Sequence, residues 1–260
     1  MHYLKKLEIN YLKTEPYYVF EVENFLSEEK YNFLYNNFPI VNFNNEDSEK
    51  LKKNNFKFSF NSGLVEYSSL LKQNKTMMEI ERIFCNEDFI KLILKNFFFK
   101  FLRSRSNDLK YFLKLLRYKI YQNKKERTFI DKFLFSHVKT NIEFSFMKNR
   151  AKIVPHTDSR RKLISLMLYF PDPDLSEEQI SFLGTSFFDS SDTNFSNKHL
   201  VGANDEIKFR KSSSKVLTLP FKKLSLFGFI KNDKSWHTVE EFNIHQNFIR
   251  KSININLYIY

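Results

Sequence analysis

"KSININLYIY", residues 251–260, decides how the chain is read. Its side chains alternate. Ile253, Ile255, Leu257 and Ile259 fall on one face of an extended segment, and Ser252, Asn254, Asn256 and Tyr258 on the other. Arg250, two residues before Ser252, shares that second face. A period of two belongs to a β-strand, whose successive side chains point to opposite sides. One face is made to meet a hydrophobic layer, here expected to be helices. The other is polar, and a polar inner face on a barrel or jelly roll often lines a ligand cavity.

Working back from this strand, the second half repeats the theme. "NIEFSFM" (141–147), "KLISLMLYF" (162–170), "TSFFD" (185–189), "KVLTLPF" (215–221) and "LSLFGFI" (224–230) are short apolar or alternating runs between turn residues. Such a series predicts an antiparallel sandwich or jelly roll. "SDTNFSNKHLVGANDE" (191–206) and "RKSSSK" (210–215) are expected to be surface loops.

The first half reads mainly as helix. In "ENFLSEEKYNFLYNNFP" (23–39), Ser27 is placed to cap a helix, Glu28 and Glu29 suit its first turn, and Pro39 ends it. "YYVFEVENF" just before it reads as a short strand. "NEDFIKLILKNFFFKFLR" (86–103) and "NDLKYFLKLLRYKIY" (107–121) are amphipathic helices with Asn-acidic starts. The expected fold is α+β: a jelly-roll core over 141–260, with a mainly helical part over 1–140 packed on it, in a single domain spanning 1–260.

Composition narrows the class. Of 260 residues, 42% are hydrophobic and 31 are Phe, which suits a folded chain with a sizeable core. The lone cysteine, Cys85, excludes an internal disulfide framework and a cysteine-based zinc site, and suits a reducing cytoplasm. The N-terminal segment is too polar for a signal peptide, and the apolar run "NFFFKFL" is too short to span a bilayer. The net charge of +12 is concentrated somewhat between Lys91 and Arg127, where the spacing suits solvated helix faces. No zinc-finger or RNP-type motif accompanies it, so nucleic acid is not the expected partner.

Chemistry enters at "PHTDSRRK", 155–162. In an extended segment His156 and Asp158 point the same way and can offer two ligands to one metal. Alone, the pair is equally an ordinary polar turn. His237, in "KSWHTVEEF", is the candidate third ligand. Two His and one carboxylate make the facial triad of non-haem Fe(II) oxygenases, which leaves coordination positions open. Thirteen residues on, Arg250 can pair bidentately with a carboxylate, and Ser252 can add a hydroxyl.

Taken together, these residues resemble the Fe(II)- and 2-oxoglutarate-dependent dioxygenases, specifically the prolyl-4-hydroxylase-like branch. The pattern there is His-x-Asp, a distal His, then a basic residue followed by Ser two further on, matched here by His156, Asp158, His237, Arg250 and Ser252. "KLISLMLYFPDP" resembles the strand whose Tyr contacts the cosubstrate, and Tyr169 holds that place. "FLGTSFF" resembles the family's Gly-Gly strand, with Leu183 replacing the first Gly. Phe146 stands where some relatives carry a second cosubstrate-binding Tyr. The helical insert over roughly 77–135 is longer than a minimal hydroxylase needs.

The resemblance implies a double-stranded β-helix, Fe(II) on the triad and 2-oxoglutarate held by Arg250, Ser252 and Tyr169. It further implies ascorbate as a candidate reductant and hydroxylation of a small molecule or protein side chain by O2. Trp236 is either a pocket wall or core. Arg160, Arg161 and Lys162 sit in an expected loop at the cavity mouth, facing either substrate or solvent. Two other readings stay open: a nucleic-acid oxygenase on the same iron site, and a cupin-like binding module without catalysis.

Overall fold

The computed structural model describes residues 7–41, 57–62, 64–120, 128, 130, 134–190 and 203–260. Strands β1 (Asn10–Lys13) and β2 (Val19–Val22) precede helix α1 (Glu28–Asn36). Strand β3 (Lys57–Asn61) leads into four helices: α2 (Val65–Leu71), α3 (Lys75–Phe84), α4 (Glu87–Ser104) and α5 (Leu109–Leu116). Strands β4 (Tyr118–Lys119), β5 (Ser136–Lys148), β6 (Ile153–His156) and β7 (Lys162–Phe170) follow. After α6 (Glu177–Phe182) come β8 (Ser186–Ser190), α7 (Ala203–Ser212), β9 (Ser213–Thr218), β10 (Leu226–Ile230), β11 (Trp236–Val239) and β12 (Ile249–Ile259).

The helices start where the sequence places caps. Ser27 accepts from the Lys30 amide, Asn86 from the Phe89 amide and Asp108 from the Tyr111 amide. Each side-chain oxygen satisfies an amide that has no partner inside its helix.

The strands form two sheets. The larger has eight strands, in the order β1-β2-β10-β7-β12-β5-β3, with β4 beside β5; the smaller has the order β6-β11-β8-β9. Strand β12 runs antiparallel between β7 and β5 near the middle of the large sheet. Its aliphatic face, Ile253, Ile255, Leu257 and Ile259, joins a core shared with helices α1, α3 and α4. Strand β7 is buried throughout because both its faces are covered. Leu166, Leu168 and Phe170 meet the helices, while Met167 and Tyr169 belong to a second core between the sheets. The cavity lies beside this inter-sheet core.

Several expectations change. The strand expected in "YYVFEVENF" is β2, but the helical half also carries β1 and β3, and all three extend the large sheet. Of the expected loop 191–206, the stretch 191–202 lies outside the described residues, and the rest opens helix α7. "RKSSSK" ends that helix and begins β9, so it is not a loop. Helix α7 is polar but carries Asp205 and Glu206 in its first turn and Arg210 and Lys211 in its last, as the helix dipole favours. No helix among the described residues is long and apolar enough to cross a membrane.

Candidate metal centre and cosubstrate cavity

His156 ends β6 and His237 lies in β11, and the two strands pair with these residues directly opposite each other. Their rings lie 4.3 Å apart. Asp158 follows two residues after His156 and turns back toward both. One ligand atom from each of the three lies within 4.8 Å of the other two. His237 Nε2 is 3.6 Å from Asp158 Oδ2.

Each imidazole is oriented from behind. His156 Nδ1 is 2.9 Å from the Val154 carbonyl oxygen, and His237 Nδ1 is 3.0 Å from that of Ser235. A carbonyl only accepts, so Nδ1 carries the proton in both rings and Nε2 is the ligand nitrogen of each. Burial favours this neutral form. It drives the His156 pKa down to about 3, aided by the neighbouring His237, and it also lowers that of His237. Burial pushes the Asp158 carboxyl up, but the charge and hydrogen bond of Lys162 outweigh it and keep the group ionised. Two neutral imidazoles and a carboxylate are the protonation states a divalent metal needs. The donor set therefore fits such an ion.

The surrounding cavity has a volume of about 110 Å³. Its floor is the polar face of β12: Arg250, Ser252, Asn254 and Asn256. Cross-strand neighbours Ser145 and Glu143 on β5, and Ser165 and Met167 on β7, complete that side. Ile153, Thr238 and Val239 close it from the small sheet, and the Thr238 hydroxyl donates to the Ile153 carbonyl.

Arg250 is 2% exposed. Its Nε donates to the Leu183 carbonyl at 2.6 Å, and Nη1 lies 3.3 Å from Ser252 Oγ. The guanidinium stacks on the rings of Phe221 and Tyr169. Burial pulls its pKa down to about 10, so it stays charged. Among the described residues no carboxylate pairs with it. A buried cation without a counter-ion is costly, and the open cavity beside it is where an anion would compensate. Gly184 makes the approach of Leu183 possible, since a Cβ there would lie 1.8 Å from the Leu219 carbonyl oxygen.

The other expected site residues are placed as follows. Ser252 lines the cavity. Tyr169 lies beneath Arg250, with its hydroxyl 2.8 Å from Thr185 Oγ1, and Thr185 is the residue that reaches the cavity. Trp236 packs in a small cluster with Phe188 and Phe209 and does not line the cavity. Arg160 is exposed on the turn after Asp158 and is not in the lining either. Phe146 faces the helices, against Phe38 and Phe60, because β5 turns its even-numbered side chains that way; Ser145 occupies the cavity side.

Two basic residues depart from their expected solvated setting. Lys162 is 7% exposed, and its Nζ contacts Asp158 Oδ1 at 2.7 Å. Arg105, at the end of α4, is 2% exposed and donates from Nη2 to the Lys162 carbonyl at 2.6 Å. Lys57 and Glu143, also unforeseen, form a 2.7 Å ion pair in the cavity wall. An acid four residues before a base was the available hint for Asp158 and Lys162. Lys57 and Glu143 are far apart in sequence and gave none.

No family model matches the chain, and no curated protein matches it. Among solved structures it is similar to a prolyl-4-hydroxylase from Pseudomonas putida, at 15% identity and TM-score 0.27 over 46% of this chain and 49% of that one. The carbocyclase SnoK of nogalamycin biosynthesis, described as non-haem and α-ketoglutarate-dependent, aligns over 92% of this chain and 79% of that one at 7% identity and TM-score 0.43. HygX from Streptomyces hygroscopicus, with nickel, 2-oxoglutarate and hygromycin B bound, aligns over 46% and 56% of the two chains at 10% identity and TM-score 0.29. The match thus spans about half the length of the prolyl hydroxylase. At these scores the likenesses decide neither family nor activity, and the reading of the site rests on its own geometry.

Proposed function

We propose that the protein is an Fe(II)- and 2-oxoglutarate-dependent oxygenase that hydroxylates an unactivated C–H bond of a small-molecule or protein side-chain substrate. The observation that carries this reading is the pair of opposed imidazoles, each held at Nδ1 by a backbone carbonyl and gathered with Asp158, in one cavity with an uncompensated Arg250. The two-sheet arrangement is read as a double-stranded β-helix, and the chain as a single domain. The lone cysteine supports a reducing, cytoplasmic setting.

In this reading His156, Asp158 and His237 hold Fe(II), and Arg250 with Ser252 receives the far carboxylate of 2-oxoglutarate. The bound iron, 2-oxoglutarate and O2 supply the oxidation, giving hydroxylated product, succinate and CO2, with ascorbate as a candidate reductant. The chain's own groups orient and exclude. The Val154 and Ser235 carbonyls fix both ring tautomers. Leu183, Tyr169 and Phe221 hold the Arg250 guanidinium in place. Met167, Phe229 and Val239 keep part of the wall apolar, which limits water near the reacting atoms.

The test needs no substrate. Anaerobic addition of Fe(II) and 2-oxoglutarate to the metal-free protein is expected to give a visible charge-transfer band. The band should disappear in His237→Ala and weaken in Arg250→Ala. A folded wild type that gives no band would sink the oxygenase reading in favour of a binding module.

A further inference from the structure

We propose that Lys162 is a positioning residue of the metal centre, holding one oxygen of Asp158 so that the carboxylate offers only the other to the cation. This inference rests on the metal-centre reading above. Lys162 Nζ lies 2.7 Å from Asp158 Oδ1, while Oδ2 is the oxygen 3.6 Å from His237 Nε2. Ser165 donates to that same Oδ2 from 3.2 Å, leaving it a further lone pair. The two oxygens of Asp158 therefore have different duties.

Lys162 is not a mobile arm that happens to reach the carboxylate. It begins β7, its amide donates to the Ser159 carbonyl at 3.0 Å, and its own carbonyl accepts from Arg105 at 2.6 Å. The turn from Asp158 to Lys162 is thus closed by its backbone and anchored to the end of α4. That gives the helical insert a link to the site through one buried guanidinium. A carboxylate with both oxygens free can bind a metal through two atoms and take a second coordination position. With Oδ1 held by an ammonium, Asp158 takes one, and positions remain open for a chelating cosubstrate.

The same geometry admits a rival account, in which the ammonium stands in for the metal charge and competes with it. Metal affinity separates the two with opposite signs. Co(II) is titrated anaerobically into the full chain, followed by calorimetry and by the visible Co(II) bands, which report coordination number. Lys162→Met is expected to bind Co(II) about 10–100-fold more weakly than wild type, with altered bands, and Lys162→Arg to stay within a few-fold. In an Asp158→Asn background Lys162→Met should have no further effect, whereas a merely structural lysine would weaken both backgrounds alike. If Lys162→Met does not fold, Lys162→Gln, which keeps a donor but not the charge, carries the same comparison. Unchanged or tighter Co(II) binding in the folded variant would overturn the proposal, tighter binding making Lys162 a competitor. A wild type that binds no Co(II) would overturn the metal-centre reading itself, and this inference with it.

Discussion

At the scale of single residues, the site depends on ionisation states set by burial. His156 is held neutral to about pH 3, chiefly because burial disfavours its charged form. In the unfolded chain the same ring takes up a proton near its ordinary pKa of about 6.5. Between those values the unfolded state of the metal-free protein binds more protons than the folded state, so stability rises with pH. His156 then contributes stability that is fully present above about pH 6.5 and is lost as pH falls toward 3. One proton corresponds to a slope of about 1.4 kcal/mol per pH unit. Asp158 acts in the same direction in a lower window, since its lowered carboxyl loses its stabilising pairs only under strong acid. Urea denaturation of metal-free protein at a series of pH values checks this: His156→Gln should flatten the slope between pH 6.5 and 4. An unchanged slope would mean that other groups carry the acid sensitivity.

At the scale of elements, the loop before β8 couples folding to the Arg250 end of the cavity. Gly184 lets the chain pass against Leu219, which puts the Leu183 carbonyl on Arg250 Nε. In Gly184→Ala the new methyl meets backbone, not a flexible side-chain end, so the strand must shift. A cost of about 1–3 kcal/mol is expected in urea denaturation. Binding of 2-oxoglutarate to metal-loaded protein should weaken as well, while metal affinity alone is unaffected, because the triad lies on β6, β11 and the turn after β6. Loss of metal binding in that variant would contradict the separation. This junction was half legible in the sequence: "FLGTSFF" marked the glycine, but the use of the Leu183 carbonyl is a backbone contact that no side-chain pattern announces. Strand β12 was legible in full because both its faces obey one period. Strand β3 was not, because five alternating residues are ambiguous until β5, far along the chain, is seen to pair with them. Helix α7 was obscured by polar neighbours; of its described side chains only Phe209 enters a core cluster, against Trp236. Spacing marked His156, Asp158, His237 and Arg250, which the fold brings to one cavity. Lys162 reads both as the start of "KLISLMLYF", which is β7, and as part of a loop; its burial is missed because a run of three basic residues reads as a solvated turn.

At the scale of the molecule, the cavity lies across the seam between the two sheets. Both imidazoles stand on the small sheet, whereas Arg250 and Ser252 stand on the large one. The large sheet is locked to helices α1, α3 and α4 through one core, and to the small sheet through another made of Met147, Met167, Tyr169, Phe187 and Phe229 among others. In the proposed reading a metal alone would tie β6 to β11, while a cosubstrate reaching from it to Arg250 would tie sheet to sheet. Since ligands that bind only the folded state stabilise it by mass action, a metal at one hundred times its Kd adds about 2.7 kcal/mol. For a chain of this size that is roughly 5–10 °C in Tm. Manganese(II), which avoids iron oxidation, should give that shift in a thermal melt. 2-Oxoglutarate should add a further rise only when the metal is present, and little or none in Arg250→Ala. The transition should remain single by both tryptophan fluorescence and far-UV circular dichroism. Trp236 is well placed to report it, because it sits in β11 beside the triad residue His237. If fluorescence fell before circular dichroism, the small sheet would be opening on its own. The inter-sheet core would then be too weak to hold the seam closed, and closure around the cosubstrate would have to be driven by the ligands themselves.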